Sequence, residues 1–209
     1  MTPRPRSTSD ADLLMATLRT VSRIGPTRLT LADVAREAGV SAATLVQRFG
    51  SKRGLLLALA ASSNDGLAEQ FEQIRAAHPS PLAALGGVAD CLAQMATSPE
   101  VLSNSLAFLQ IDLVDPDFHK HALAHSRAMR AEVKSLLDEA IARGELARCD
   151  TVRLARGVQV MLGGALLQWA IDRDGSAADR LREDLETLIK PRHCRRERRQ
   201  KPRRRIRRD

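Results

Sequence analysis

The residues of this sequence best suited to chemistry lie within residues 30–52, which read TLADVAREAGVSAATLVQRFGSK. In this segment, Gln47 and Arg48 share the outward side of a predicted helix. Glutamine can pair with adenine through two hydrogen bonds, and arginine can bind N7 and O6 of guanine in the same bidentate way. The small Ala42 and Ala43 at the start of that helix let the backbone approach closely and touch a thymine methyl group. This combination predicts a surface that reads base edges in duplex DNA.

Other polar residues of the segment are suited to the DNA backbone. Thr30, Thr44 and Lys52 are candidate phosphate contacts. Ser41 is the predicted cap of the second helix, and a helix N-terminus attracts anions because its N–H groups are unpaired. Phosphate contacts position a protein on a duplex without reading its sequence. The segment therefore offers positioning contacts as well as base contacts.

Two short helices joined by a tight turn must hold these side chains. The apolar anchors are Leu31, Val34 and Ala35 on the first helix, and Leu45 and Phe49 on the second. Gly39 suits the left-handed conformation that follows a helix, Val40 fills the corner between the helices, and Ser41 caps the second. This pattern predicts a helix-turn-helix, whose second helix can enter a major groove.

Helix start and stop signals recur along the rest of the chain. Predicted capping residues are Ser9, Ser51, Ser80, Ser98, Asp115, Asp150 and Ser176, and the caps at positions 80, 98 and 115 precede a proline. Aromatic residues make up 2% of the sequence, and β-branched residues are sparse. We therefore predict an all-α protein of nine or ten helices.

The charge of the chain is unevenly distributed. Residues 190–209 contain 12 Lys or Arg and 2 Asp or Glu, a net charge of +10 in a chain whose total is +8. So basic a terminal segment cannot pack a core, and we expect it to be a disordered tail attracted to polyanions such as nucleic acid.

Several classes of protein are not expected from the sequence. It has no HExxH, P-loop, GxSxG or GxGxxG signature, so we predict neither an enzyme nor a cofactor. No apolar run reaches about 18 residues and no signal-peptide core is visible, so we expect no membrane span and a cytoplasmic location. Cys91, Cys149 and Cys194 are far apart and odd in number, which is typical of free thiols.

The helix-turn-helix segment resembles the N-terminal domain of TetR-family transcriptional regulators. The matching stretches are VAREAGVS, TLVQRF and Lys52. The family's usual aromatic residue in the second helix is replaced here by Val46, which removes a hydroxyl contact to phosphate. Towards the C-terminus, ARGELARCDTVRLARGVQVMLGGALLQWAIDR resembles the family's junction between two long helices.

This resemblance implies a DNA-binding regulator, and it favours a repressor released from palindromic operator DNA by an unknown small-molecule effector. It implies a homodimer as well. The expected organisation is a flexible arm over 1–9, a helix-turn-helix DNA-binding domain over 10–55, an effector-binding and dimerisation domain over 56–189, and the Arg-rich tail over 190–209.

The resemblance also implies roles for residues of the larger domain. Candidate effector-binding residues are Met95, Phe108, Met129, Met161 and Trp169. Candidate dimer-interface residues are Val133, Leu136, Ala140, Gly157, Val160, Gly164 and Leu167. The helix that begins after Asp150 is apolar on two faces, which favours a helix that contacts both its own core and a second subunit.

Two other functions are compatible with the sequence. Asp117, His121 and His125 recur every four residues on one predicted helix, and such a ridge is compatible with a metal-responsive regulator. Three ligands over two turns span about 12 Å, which is too far for one ion without another ligand. The alternative is a non-specific DNA-binding protein driven by the Arg-rich tail.

Overall fold

The computed structural model describes residues 8–190, and within this range the chain forms ten α-helices and no β-strand. They are α1 (Asp10–Arg28), α2 (Leu31–Ala38), α3 (Ala42–Phe49), α4 (Lys52–Asp65), α5 (Leu67–Ala77), α6 (Pro81–Gln94), α7 (Pro99–Val114), α8 (Pro116–Ala142), α9 (Thr151–Asp172) and α10 (Ala177–Ile189). The predicted all-α fold of nine or ten helices is confirmed. Residues 1–7 of the predicted arm and 191–209 of the predicted tail lie outside the described range.

Local hydrogen bonds set where these helices begin. In nine of the ten, a Ser, Thr or Asp side chain before the first turn accepts a hydrogen bond from a backbone N–H of that turn. Ser9 and Thr30 form complete capping boxes with Asp12 and Asp33. The exception is α5, which follows α4 across Gly66 without a side-chain cap.

The C-terminal end of α1 is bent and tied to α7. Gly25 has a φ of 76°, and Pro26 follows it. A Cβ atom at Gly25 would lie 2.9 Å from Oδ1 of Asn104, so the site needs glycine both for its conformation and for the close approach. The Asn104 amide also donates to the Ser22 carbonyl at 2.9 Å. These contacts fix the position of α1 against α7.

Buried apolar side chains form two clusters. The N-terminal cluster comes from α1–α4, and it includes one side chain from α8, that of Phe118. The body cluster comes from α5–α10 and the loops that join them. Phe118 therefore reaches from the body of the protein into the core of the helix-turn-helix region.

The predicted dimer residues on α8 are placed differently from our expectation. Val133, Leu136 and Ala140 are at most 1% exposed and belong to the body cluster. A side chain without exposed surface has none left to bury against a second chain, so the prediction that these three residues lie at a subunit interface is wrong. Their helical periodicity marks the inward face of α8 instead.

The predicted dimer residues on α9 lie away from the body cluster. Gly157 is half-buried, Gly164 is exposed, and Val160 and Leu167 are 68% and 43% exposed. By length and composition, α9 is the one helix of residues 8–190 apolar enough to cross a membrane. Its opposite face, which includes Leu162, packs in the body cluster, as the core helix of a helical bundle does.

Candidate nucleic-acid interface and ligand cavity

The helix-turn-helix is held by capping at both helices. Asp33 accepts from the backbone N–H of Thr30 at 3.0 Å and from its hydroxyl at 2.6 Å, and the Thr30 hydroxyl lowers the pKa of Asp33. Gly39 then adopts a left-handed conformation with a φ of 67°, and the Val40 N–H donates to the Ala35 carbonyl. The turn is therefore stabilised by backbone geometry that the sequence supplies locally.

The outward face of α3 carries most of the residues predicted to contact DNA. Ser41, Ala43 and Gln47 are exposed, whereas Ala42 and Thr44 are half-buried. The Ser41 side chain accepts from the Thr44 N–H at 3.1 Å and lies 2.9 Å from the Thr44 hydroxyl. Leu45 faces the N-terminal cluster, so the helix presents its polar side to solvent. Exposed Val46 stands on this surface and offers no hydrogen bond.

Arg48 is not free on this surface. Its Nη1 donates to the Thr8 carbonyl at 2.6 Å and to Oδ1 of Asp10 at 2.9 Å. The guanidinium thus connects the end of α3 to the beginning of α1. A role for Arg48 in reading bases requires that guanine replace these two acceptors.

The two remaining backbone-contact candidates lie at helix beginnings. Thr30 is exposed as the N-cap of α2. Lys52 is half-buried at the start of α4, and its Nζ donates to the Thr27 carbonyl at 2.9 Å. Both are therefore beside N–H groups of a first helical turn, where an anion is stabilised.

Arg53, the next residue of α4, joins the two parts of the molecule. Its Nη2 donates to both carboxylate oxygens of Asp115 at 2.9 Å and to Asp117 at 2.8 Å. These hydrogen bonds lower the pKa of Asp115. The guanidinium also lies 5.5 Å from the ring centre of Phe118, and Phe118 packs edge-to-face against Phe108 at 5.9 Å.

A cavity of about 540 Å³, which we call the ligand cavity, lies between α4–α8. Its volume is within the range typical of small-molecule sites. The apolar part of its wall includes Phe71, Ile74, Val88, Met95, Phe108 and Met129. Polar side chains also line it, among them Gln70, Asp112, His121 and His125.

Two of these polar groups have an unused hydrogen-bonding atom. Oδ1 of Asp112 and Nδ1 of His125 are buried and have no partner in the described part of the chain. Burial raises the pKa of Asp112 from its ordinary 3.8 to about 6, although the charge of His119 opposes the shift. An unpaired buried polar atom costs free energy, and a ligand that hydrogen-bonds it recovers that cost.

The five predicted effector-binding residues separate into two groups. Met95, Phe108 and Met129 line the ligand cavity. Met161 packs against the body cluster, and Trp169 donates its indole N–H to the Gly175 carbonyl beside a different cavity. Neither belongs to the wall of the ligand cavity. The sequence pattern of α9 identifies its buried face, but it does not show whether that face lines a cavity or packs in the core.

The predicted metal ridge does not converge. Asp117 is bound to Arg53, whereas His121 and His125 face the ligand cavity. In residues 8–190, no group of three or more His, Cys, Asp or Glu side chains is close enough to hold a metal ion. The geometry thus gives these histidines a place in the cavity wall, and the metal-responsive alternative is not favoured.

Sequence reasoning missed Asp112 and Arg53. Asp112 is the one charged residue in LAFLQIDLV, and an isolated acid in an apolar helix was the available signal. Arg53 gave no such signal, because its partners are 62 and 64 residues away.

Two family models match the chain. The model described as bacterial regulatory proteins, tetR family, matches residues 13–59, and the model described as BetI-type transcriptional repressor, C-terminal, matches residues 84–191. The HTH-type transcriptional regulator BetI of Agrobacterium fabrum is 30% identical over 162 residues, covering 76% of this chain and 75% of that protein. BetI 1 of Chromohalobacter salexigens is 27% identical over 183 residues, covering 82% and 83%.

Solved structures share the fold. A TetR transcription regulator from Haloarcula marismortui superposes with a TM-score of 0.73 at 18% identity, covering 88% of this chain and 97% of that chain. FadR from Bacillus subtilis, solved in complex with stearoyl-CoA, gives a TM-score of 0.69 at 15% identity and covers 88% and 100%. At these identities the similarity concerns the fold alone.

Replacing Asp112 by Asn should remove a pH-dependent component of stability. Between about pH 4 and 6 the folded protein keeps a proton on Asp112 that the unfolded chain has released, so its stability falls as the pH rises through this range. Asn carries no charge at any pH and lacks this component.

Urea unfolding at pH 4.5 and pH 7 measures the effect. When the pH rises from 4.5 to 7, the wild type should lose stability through Asp112, and Asp112→Asn should lack this loss. The unfolding free energy at pH 7 minus that at pH 4.5 should therefore be more positive in the variant than in the wild type. Asp65→Asn, which alters an exposed carboxyl group at the end of α4, is the control. Identical pH profiles for Asp112→Asn and wild type would contradict the buried carboxyl group.

Proposed function

The chain belongs to the TetR family of bacterial regulatory proteins, and we propose that it is a repressor that leaves a palindromic operator when a small molecule fills the ligand cavity. As a member of this family it is a DNA-binding transcriptional regulator and not an enzyme. The observation that carries the proposal is the connection from the recognition surface to the cavity wall through Arg53, Phe118 and Phe108. We place the protein in the cytoplasm, where its DNA is.

Binding as a homodimer follows from the small size of the recognition surface. One α3 helix contacts few base pairs, and a two-fold dimer doubles that number on a palindrome. The exposed apolar face of α9, which includes Gly164, Val160, Leu167 and Ile171, supports a subunit interface there. The family model for the C-terminal part names a transcriptional repressor, and this supports repression over activation.

The ligand cavity supports regulation by an organic effector. It combines an apolar wall with the unpaired atoms of Asp112 and His125, so it suits a small molecule that carries a hydrogen-bonding group. FadR, which has the same fold, is described in complex with stearoyl-CoA, and this supports a ligand-holding role for such a body.

A ligand in this cavity can act on DNA binding through Phe108. Movement of Phe108 shifts Phe118, and Phe118 packs beneath the guanidinium of Arg53 at the start of α4. Arg53 adjoins Lys52, a candidate phosphate contact. An effector need only favour an arrangement in which the two recognition surfaces of the dimer no longer match the operator spacing.

We expect Arg48→Ala to weaken operator binding by about 1–3 kcal/mol and to relax the base preference, because a bidentate contact with guanine would be lost. Lys52→Ala should weaken binding to all duplexes equally, since a phosphate contact carries no sequence information. Fluorescence anisotropy with the operator and with a random duplex measures both effects.

Asp10→Asn is the matched control for Arg48, because it removes the ion pair and keeps the guanidinium. It should preserve the base preference. If Asp10→Asn and Arg48→Ala lower operator affinity to the same extent, Arg48 only anchors α1 and its proposed base contact is refuted.

Gly164→Arg should convert a dimer into a monomer. Gly164 is exposed, and a Cβ atom there meets open space, so the change places a charge on the proposed interface without disturbing the protomer. Light scattering at micromolar concentration should give twice 22.9 kDa for the wild type and 22.9 kDa for the variant. Ala68→Arg, on exposed α5 surface, should remain dimeric. A monomeric wild type would rule out the proposed assembly.

Arg53→Gln should loosen the attachment of the helix-turn-helix to the body. In a cysteine-free background, nitroxide labels on Gln47→Cys report the distance between the two recognition helices of a dimer by electron paramagnetic resonance. The distance distribution should broaden in Arg53→Gln, because the links to Asp115 and Asp117 are lost. Arg28→Gln, whose guanidinium bonds only within α1, should leave it unchanged. Equal widths in all three proteins would show that Arg53 does not position the DNA-binding helices.

A further inference from the structure

A second cavity, which we call the α1 cavity, lies between the DNA-binding helices and the body. Its volume is about 660 Å³, and it is lined by α1, α4, α7 and the C-terminal end of α6. It shares Ala60, Ser63, Met95 and Phe108 with the ligand cavity, so the two spaces adjoin at these side chains. The α1 cavity differs in having a wall formed by the first helix of the DNA-binding region.

The interior of the α1 cavity offers apolar contact. Leu18, Val21, Leu59, Met95, Val101 and Phe108 line it. Leu18 is 37% exposed and Met95 is 62% exposed, so large apolar side chains remain in contact with water. The hydroxyl groups of Ser63 and Ser105 donate to carbonyls of their own helices. Burial of this apolar surface by an alkyl chain is therefore the main source of binding free energy that the cavity offers.

The polar rim of the α1 cavity is cationic. Arg19 and Arg23 lie one helical turn apart on α1, and both line the cavity. Arg19 donates to Glu37 at 2.8 Å, and this hydrogen bond, with the charges of both arginines, lowers the pKa of Glu37. One carboxylate faces two guanidinium groups, and exposed Arg23 has no hydrogen bond to any residue of the described chain. A net positive charge thus stands beside an apolar cavity.

We propose that the α1 cavity is a second ligand site, distinct from the ligand cavity, that binds an anionic amphiphile with its alkyl chain among Leu18, Val101 and Phe108 and its acid group at Arg23. A cationic amphiphile of the same length is disfavoured because its charge would lie beside Arg19 and Arg23. A neutral amphiphile would still bury apolar surface, but it would lack the ionic contact with Arg23. The occupant is therefore an anionic alkyl amphiphile, of which an alkyl carboxylate is the simplest form.

Such a ligand would contact the DNA-binding region directly. It lies between α1 and α7, which the Asn104–Ser22 hydrogen bond and the Gly25 contact already hold together. The effect on operator affinity rests on the proposed repressor function, whereas binding itself does not.

Decanoate is the probe, and isothermal titration calorimetry of the full chain, below the concentration at which decanoate forms micelles, is the measurement. We expect saturable binding of one decanoate per protomer. Val101→Trp fills the cavity and should abolish binding, whereas Ala122→Trp fills the ligand cavity and should leave it intact. Arg23→Gln should weaken decanoate about three-fold, the effect of one exposed ion pair, and should leave decanol binding unchanged.

Controls of charge and location complete the test. Decyltrimethylammonium should bind more weakly than decanoate. The Val101→Trp substitution can disturb folding, so the binding site is also assigned on the wild type with a photoreactive diazirine analogue of decanoate. We expect the labelled peptides to come from α1 and α7. Loss of binding in Ala122→Trp but not in Val101→Trp, labelling confined to α5 and α8, or equal affinity for the cation would overturn the proposal. None of these readouts depends on operator binding, so a failure of the repressor function would be seen separately.

Discussion

The insertion of Phe118 into the N-terminal cluster, with the guanidinium of Arg53 above its ring, is the contact through which α8 can act on the DNA-binding helices. The buried side chains form two separate clusters, and a body that merely lay beside the DNA-binding helices could not control them. Arg53 binds two carboxylates at the start of α8 and covers Phe118, which is itself inserted into the N-terminal cluster. A polar contact and an apolar contact thus constrain the same junction, and a displacement of α8 is transmitted to the start of α4.

Both cavities adjoin this junction, so a ligand in either of them can act on the DNA-binding helices. Phe108 lines both of them and packs against Phe118, so either cavity can act on the same pair of aromatic rings. The ligand cavity reaches the rings from the body side, where Asp112 and His125 offer unpaired atoms. The α1 cavity reaches them from the DNA-binding side. Phe118 is 2% exposed and closely packed in the N-terminal cluster, so a shift of Phe108 that displaces Phe118 is passed on to that cluster.

The sequence determined the local features of this structure and left the long-range ones open. Helix beginnings were predictable because a cap such as Thr30 acts on N–H groups within three residues, and the turn was predictable because Gly39 adopts the left-handed conformation it suits. The pairing of Arg53 was not, since no local pattern connects positions 62 residues apart. For Val133, periodicity identified an apolar face, but a helix in a bundle has several neighbours, and the pattern does not state which of them that face meets.

The same distinction applies to Arg48, whose chemistry was predictable and whose contacts were not. Its bond to Asp10 joins two partly exposed side chains, and exposed ion pairs contribute about 0–1 kcal/mol. A bidentate contact with guanine contributes about 1–3 kcal/mol. A guanine can therefore replace Asp10 as the partner of Arg48, and in the absence of DNA the ion pair restricts the conformations of the Arg48 side chain. An arginine kept in place by a weak contact loses less conformational entropy when it binds a base than one that is free in solvent. The contact that competes with DNA thus also prepares the side chain for it.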